Sequence, residues 1–135
     1  MKERRSVLAQ ICNYTVDLSG FVFKNLAGNT FNSAYSSDVV VTDAVVLSSA
    51  SGTNTNVLYT VTSTASTFNT QTSINTAVTE IIADASTLVF AAGKLASVLI
   101  QVVGSDGNDV ALFHYTEAGS NGIQEAELDL LGVFV

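Results

Sequence analysis

Two apolar runs on either side of a turn-forming segment are the feature that most constrains the fold. The sequence ASVLIQVVGSDGNDVALFHY occupies residues 96–115, and its middle part, residues 104–109, consists of Gly, Ser, Asp and Asn. Gly, Asn and Asp tolerate the positive φ angles of tight turns, so this segment predicts a β-hairpin. The run VLIQVV is apolar on both faces, which indicates a central strand of a sheet or a strand covered by another subunit.

Other segments extend this prediction to most of the chain. Alternation and β-branched residues predict strands at residues 14–23, 57–64 and 128–135, and one strand or two short ones over 37–47. The sequence TSINTAVTEIIADAS predicts an amphipathic helix near residues 73–84, with Thr72 or Ser73 as its N-cap. Its apolar face comprises Ile74, Ala77, Val78, Ile81 and Ile82. The expected fold is therefore mainly β and sandwich-like, with one helix.

The length of 135 residues predicts a single domain with its own core. We expect a flexible N-terminal arm over residues 1–12 and one β-rich domain over residues 13–135. Three of the five basic residues lie within the first five positions, at Lys2, Arg4 and Arg5. The arm either contacts an acidic neighbour through these charges or is a frayed terminus.

Composition indicates which partners suit the chain. Only 13% of the residues are charged, whereas soluble domains carry about 25%. This scarcity is typical of proteins whose surfaces are covered by neighbours, and it predicts a homo-oligomer. The net charge of −7 and the absence of a basic stripe argue against nucleic-acid binding. No stretch reaches the roughly 18–20 apolar residues of a membrane span, so none is expected.

The residues that usually carry catalysis are scarce. His114 is the only histidine, Cys12 is the only cysteine, and a zinc site usually needs several such ligands. No phosphate-binding loop, dinucleotide motif or nucleophile elbow is present. His114 lies within VALFHY, where a structural position is expected. We therefore expect no enzymatic activity, and no small-molecule substrate is indicated.

Carboxylates are the remaining polar chemistry, and they make calcium the candidate cofactor. From Asp106 onward the chain has six acids and no Lys or Arg. Calcium takes six to eight oxygen ligands, which acidic turns can supply. The candidate ligands are Asp106 and Asp109 in one turn, with Glu117, Glu125 and Glu127 in another. The segment EAGSNGIQEAEL lacks the ligand spacing of an EF-hand loop, and the alternative is a pair of solvated acidic turns.

The C-terminal half, GSDGNDVALFHYTEAGSNGIQEAELDLLGVFV with the helix before it, resembles the C-terminal region of type I secreted RTX-like surface proteins of the cyanobacterial type. The resemblance covers roughly residues 72–135. In that family the extreme C-terminus serves as an uncleaved export signal, which implies this role for residues 129–135. It also implies an extracellular location, a surface layer or adhesive sheath, and calcium as a structural ion. The alternative for the tail is an ordinary closing strand.

These observations together predict an extracellular or cell-surface structural protein that self-assembles into a surface layer, sheath or filament. Calcium would assist the assembly, and the C-terminal signal would direct export. One alternative is a virion structural protein, such as a phage tail, fibre or capsid-decoration subunit. A monomeric adhesin or binding module is another, because residues 24–37 and 48–56 suit long exposed loops.

Overall fold

The computed structural model describes residues 7–11, 14–18, 21–29, 39–41, 44–86, 88, 95–119 and 122–135. Within these ranges the chain forms two β-sheets and one α-helix. The smaller sheet has the strand order β2-β1-β3, with β1 antiparallel to β2 and parallel to β3. Its strands are β1 (Val7–Ile11), β2 (Tyr14–Asp17) and β3 (Val39–Val41).

The larger sheet has five strands in sequence order, from β4 to β8. Pairing is parallel from β4 to β6 and antiparallel from β6 to β8. Helix α1 (Gln71–Asp84) lies in the connection between β5 and β6, as a parallel pair requires. The strands are β4 (Val45–Val46), β5 (Leu58–Thr62), β6 (Ser97–Val103), β7 (Val110–Thr116) and β8 (Leu128–Phe134).

The predicted class, mainly β with a single helix, is confirmed. The predicted hairpin is β6 and β7, paired from Ser97–Thr116 to Val103–Val110. Strand β6 is the middle strand of its sheet, and Val98, Leu99, Ile100 and Val102 are buried within the chain itself, which explains why VLIQVV is apolar on both faces. The segment 37–47 contains two short strands, β3 and β4, which belong to different sheets.

Helix α1 begins earlier than its predicted cap. The N-cap is Thr70, whose hydroxyl oxygen accepts a hydrogen bond from the Ser73 N–H at 3.1 Å. The Ser73 hydroxyl in turn accepts from the Thr70 N–H at 3.2 Å. The prediction of Thr72 or Ser73 as N-cap is therefore wrong, because a reciprocal capping box formed with Ser in place of Glu or Gln.

Four of the five residues of the predicted apolar face of α1 pack against the core, and the fifth, Ile82, is partly exposed in a groove on the helix. Ala77 and Ile81 are fully buried, and Ile74 and Val78 are partly buried against the same cluster. Glu80 ties the helix to the end of β5, since its carboxylate accepts the Thr64 N–H at 2.8 Å and the Thr64 hydroxyl at 2.7 Å. This contact sets the position of α1 over the parallel half of the sheet.

The N-terminal region contains a strand within the segment for which the sequence predicts an arm. Residues 7–11 form β1, which is paired on both sides, and Ile11 is buried in the main core cluster. Burial of Ile11 and main-chain pairing hold these residues on the fold. Residues 1–6, which carry the basic cluster, and Cys12 lie outside the described residues.

Gly104 permits a close approach at the β6–β7 turn. Its N–H donates to the Asp109 carbonyl oxygen at 2.8 Å, and the following N–H of Ser105 donates to the Ala65 carbonyl oxygen at 2.9 Å. A Cβ placed on Gly104 would collide with the main-chain carbonyl oxygen of Ser66. This turn therefore packs against the segment between β5 and α1 only if residue 104 has no side chain.

We expect Gly104→Ala to lower the free energy of unfolding by about 1–3 kcal/mol, because the collision involves a backbone atom that cannot rotate away. Urea denaturation followed by circular dichroism measures the change. Ser105→Ala is the matched control, since Ser105 is exposed in the same turn, and it should change stability by less than about 0.5 kcal/mol. Equal stabilities for Gly104→Ala and the parent chain would contradict this explanation.

Candidate functional site

Two of the predicted calcium ligands lie at the corner that joins β7 to β8. Glu127 is buried, and its two carboxylate oxygens accept the Ala118 N–H at 2.8 Å and the Gln124 N–H at 3.0 Å. Glu117 is also buried, and its carboxylate accepts the Ala96 N–H at 3.1 Å. Glu127 therefore satisfies main-chain donors within the connection between β7 and β8, and Glu117 satisfies the N–H of the residue that precedes β6.

Tyr115 lies close to the same two carboxylates. Burial raises the pKa of its phenol, and the negative charges of Glu127 and Glu117 raise it further. The Tyr115 side chain is fully buried beneath the corner. At this corner the Glu127 carboxylate holds the chain as it turns from β7 into β8, and the Glu117 carboxylate ties the end of β7 to the residue before β6.

The other predicted ligands occupy different positions. Asp106 is exposed in the β6–β7 turn and accepts the Asn108 N–H at 3.0 Å. Asp109 is buried at the start of β7, with one carboxylate oxygen 3.4 Å from the Phe68 nitrogen. Glu125 is exposed and borders a shallow groove on α1 that is lined by Asn75, Val78, Thr79 and Ile82.

The five carboxylates therefore form two groups rather than one. The seven residues of strand β7 lie between the two groups. At about 3.3 Å per residue, the groups are roughly 20 Å or more apart. In the described ranges no three His, Cys, Asp or Glu side chains lie close enough together to hold a metal ion. A single ion cannot join the two acidic turns, and calcium binding at either one stays a prediction.

His114 holds the N-terminal part of the chain against the hairpin. Its Nε2 atom is 2.7 Å from the Ser97 hydroxyl oxygen. The edge of its ring packs on Phe21, with a centroid separation of 4.9 Å, and on Phe23 at 6.1 Å. Ser97 and Lys24 also exchange main-chain hydrogen bonds of 2.8 and 3.1 Å. The imidazole and this bridge together anchor the segment 21–24.

Burial lowers the pKa of His114 below its ordinary value, and the negative charge of Asp129 partly opposes this shift. Ser97, His114 and Asp129 lie on three adjacent strands, an order that resembles a hydrolytic triad. The N–H groups of Ser97 and Lys24 donate to each other's carbonyl oxygens and so are not available to an oxyanion. The contacts with Ser97, Phe21 and Phe23 give His114 a structural role, and the expectation of no enzymatic activity stays a prediction.

Exposed apolar side chains lie at both edges of the larger sheet, three of them on the edge strand β8 and Val46 on the opposite edge strand β4. Leu130, Leu131 and Val133 are exposed by 44%, 39% and 37%. No strand in the described part of the chain pairs with the outer side of β8. The sequence predicts a strand at 128–135 but not its place at the edge, because alternation contains no information on strand order. The feature of the sequence that could have indicated this exposed edge is the uncharged run 130–135.

Comparison with protein-family models, with curated proteins and with solved structures finds no match to this chain. In the part of the chain that the structure describes, no helix has the length and apolar character to cross a membrane.

If Glu127 closes the β7–β8 corner, Glu127→Gln should lower the free energy of unfolding by about 1–3 kcal/mol, because an amide NH2 would replace one acceptor next to a main-chain N–H. Glu125→Gln is the matched control two residues away, where the side chain is exposed, and it should have little effect. Urea denaturation at pH 7 compares the two. Equal losses in both variants would argue against the proposed role of Glu127.

The position of His114 predicts a loss of stability in mild acid. Its pKa in the folded state is below the ordinary value, so the unfolded state binds more protons below about pH 6.5. The contribution of neutral His114 is thus complete above about pH 6.5 and is lost as the pH falls toward the folded-state pKa. Two polar groups lie next to the imidazole. The negative charge of Asp129 opposes the lowering of the His114 pKa, and Ser97 is uncharged.

Denaturation of the parent chain and of His114→Gln between pH 7.5 and 5 tests this, since carboxylate contributions cancel in the difference between the two. The stability of the parent chain should fall more steeply than that of the variant. Titration of the imidazole protons by NMR measures the pKa directly. A pKa at or above the ordinary histidine value would contradict the prediction.

Proposed function

We propose that this chain is a structural subunit that self-assembles through the edge of its larger sheet. The observation that carries the proposal is β8, an edge strand on which Leu130, Leu131 and Val133 are exposed. An edge strand presents a row of main-chain N–H and C=O groups that can pair with another chain. Apolar side chains beside such a row favour the contact, because pairing removes them from water.

The low charge of the chain supports the same function. Only 13% of its residues are charged, and few charges means few groups that must lose their hydration when copies meet. The two-faced apolar character of β6 does not add support, because β6 is buried within its own sheet. The weight of the proposal therefore rests on β8.

The proposed setting is an extracellular or cell-surface layer, sheath or filament, with export directed by the C-terminal residues. This part of the proposal rests on the resemblance of residues 72–135 to type I secreted RTX-like surface proteins. Residues 128–134 form β8, so the same segment would act as a signal during export and as an assembly edge after folding.

Assembly should depend on salt in a definite direction. Each copy has a net charge of −7, and copies repel one another at low ionic strength. Salt at 0.1 M reduces the range of this repulsion to about 10 Å. Contacts made by uncharged side chains persist under these conditions, so we expect added salt to strengthen assembly rather than weaken it.

Light scattering after gel filtration, together with electron microscopy, tests the proposal over a range of protein and salt concentrations. We expect ordered oligomers, and the fraction of the protein in oligomers should increase with protein concentration and with salt concentration. Calcium at millimolar concentration, compared with magnesium and with a chelator at equal ionic strength, tests calcium assistance separately. A strictly monomeric chain under all of these conditions would contradict the proposed function.

A further inference from the structure

Among the described residues no strand lies beyond β8, and the apolar layer of the larger sheet ends there in exposed side chains. Residues that are direct partners across strands form rows on one face of the sheet, and one such row is Val61, Val102, Ala111 and Val133. The first three members are buried and the last is exposed. A neighbouring row ends in the same way at Leu130. One more strand beside β8 would cover Val133, the exposed end of the first row.

The outer edge of β8 has little protection against pairing. Natural edges commonly carry Lys, Pro, inward-pointing charges or bulges. Residues 128–135 contain no Lys or Pro and one acid, Asp129. A bulge lies between Leu130 and Gly132. The acid thus lies near the start of the strand and the bulge at its centre, and the part after the bulge, which contains Val133, is uncharged and regular.

We propose that β8 pairs in antiparallel orientation with β8 of a second copy, around a two-fold axis next to Val133. This inference rests on the self-assembly proposed above and identifies its first contact. The two Val133 side chains become neighbours on the same face of a continuous ten-stranded sheet. The row that ends at Val133 then continues through the axis into the second copy.

The shape of the sheet favours a second β8 over the other edge as partner. A two-fold axis pairs an edge with itself, and it produces a closed dimer. The opposite edge is β4, which has only two residues, Val45–Val46. A head-to-tail contact between β8 and β4 would leave most of the seven-residue β8 unpaired. The β8–β8 contact uses the longer edge twice.

Charge and the bulge limit where the axis can lie along β8. An axis next to Asp129 would place two carboxylates directly opposite each other, which is unfavourable. With the axis next to Val133, each Asp129 lies four positions from it, so the two carboxylates are roughly 25 Å apart at about 3.4 Å per residue. The bulge between Leu130 and Gly132 then lies outside the central pair formed by the two Val133 residues.

Charged substitutions at Val133 give a direct test. Val133→Lys and Val133→Glu should each weaken dimerisation about tenfold or more, since two like charges would meet at the axis. An equimolar mixture of the two variants should restore dimers, because Lys then faces Glu. Sedimentation velocity measures the dimer fraction, and circular dichroism verifies that each variant is folded.

Two exposed valines elsewhere serve as matched controls. Val46 is 51% exposed on β4, and Val22 is 70% exposed outside the strands. Val46→Lys and Val22→Lys alter the net charge as Val133→Lys does, and each should dimerise like the parent chain. Loss of dimers in Val46→Lys instead of Val133→Lys would overturn the β8–β8 contact in favour of β8–β4 pairing. A mixture of the Val133 variants that stays monomeric would also overturn it.

Disulfide formation distinguishes antiparallel from parallel pairing without introducing a charge. The background is Cys12→Ser, because Cys12 is the only cysteine. A two-fold axis brings identical residues together only near itself, so Val133→Cys should form a disulfide dimer readily and Asp129→Cys should not. Equal yields at both positions would indicate parallel pairing and overturn the proposal.

The outcomes separate this inference from the proposed function. A chain that is monomeric at every concentration contradicts both. Oligomers that persist undiminished in Val133→Lys and Val133→Glu leave self-assembly intact and overturn the β8–β8 contact alone.

Discussion

The main-chain pairing of β6 on both of its sides is the constraint on which the rest of the fold depends. Strand β6 is parallel to β5 and antiparallel to β7, so it joins a parallel half of the sheet to an antiparallel half. The parallel side requires a crossover, which α1 supplies, whereas the antiparallel side needs only a tight turn. Because β6 is apolar on both faces, each face must also be covered. Ala77 and Ile81 of α1 and Phe23 of the segment 21–24 belong to the same buried cluster as the residues of β6.

The sequence predicts local structure well and long-range partners poorly. Alternation and turn chemistry were sufficient for the β6–β7 hairpin, and apolar spacing was sufficient for α1, because these signals involve neighbouring residues. The parallel pairing of β5 with β6, and the separation of β3 from β4 into two sheets, depend on contacts between distant residues. No local pattern contains such information. The same reason explains why β8 was predicted as a strand without its position at the edge.

The candidate site illustrates a second limit. Acidic residues in turns suit a cation by their chemistry, yet Glu117 and Glu127 are buried and accept main-chain N–H groups. A Glu whose carboxylate accepts main-chain N–H groups and a Glu whose carboxylate binds a metal ion are the same residue type in a sequence. Only the orientation of nearby N–H groups distinguishes them, and that orientation is a property of the folded backbone. The sequence does not predict the hydrogen bond between Ser97 and His114 for the same reason, since the two residues lie on different strands.

The strand order of the larger sheet also has a consequence for the route by which the chain folds. Strands β6, β7 and β8 form consecutive antiparallel pairs, and such local pairs can close within microseconds. Pairing of β5 with β6 requires closure of a loop that contains all of α1, so it is expected to occur later. Until then the side of β6 that receives β5 is an apolar strand edge as open as β8. Chains in which β5 has not yet paired would therefore present unpaired strand edges at both β6 and β8, and unwanted pairing between such chains is expected at β6 as well as at β8.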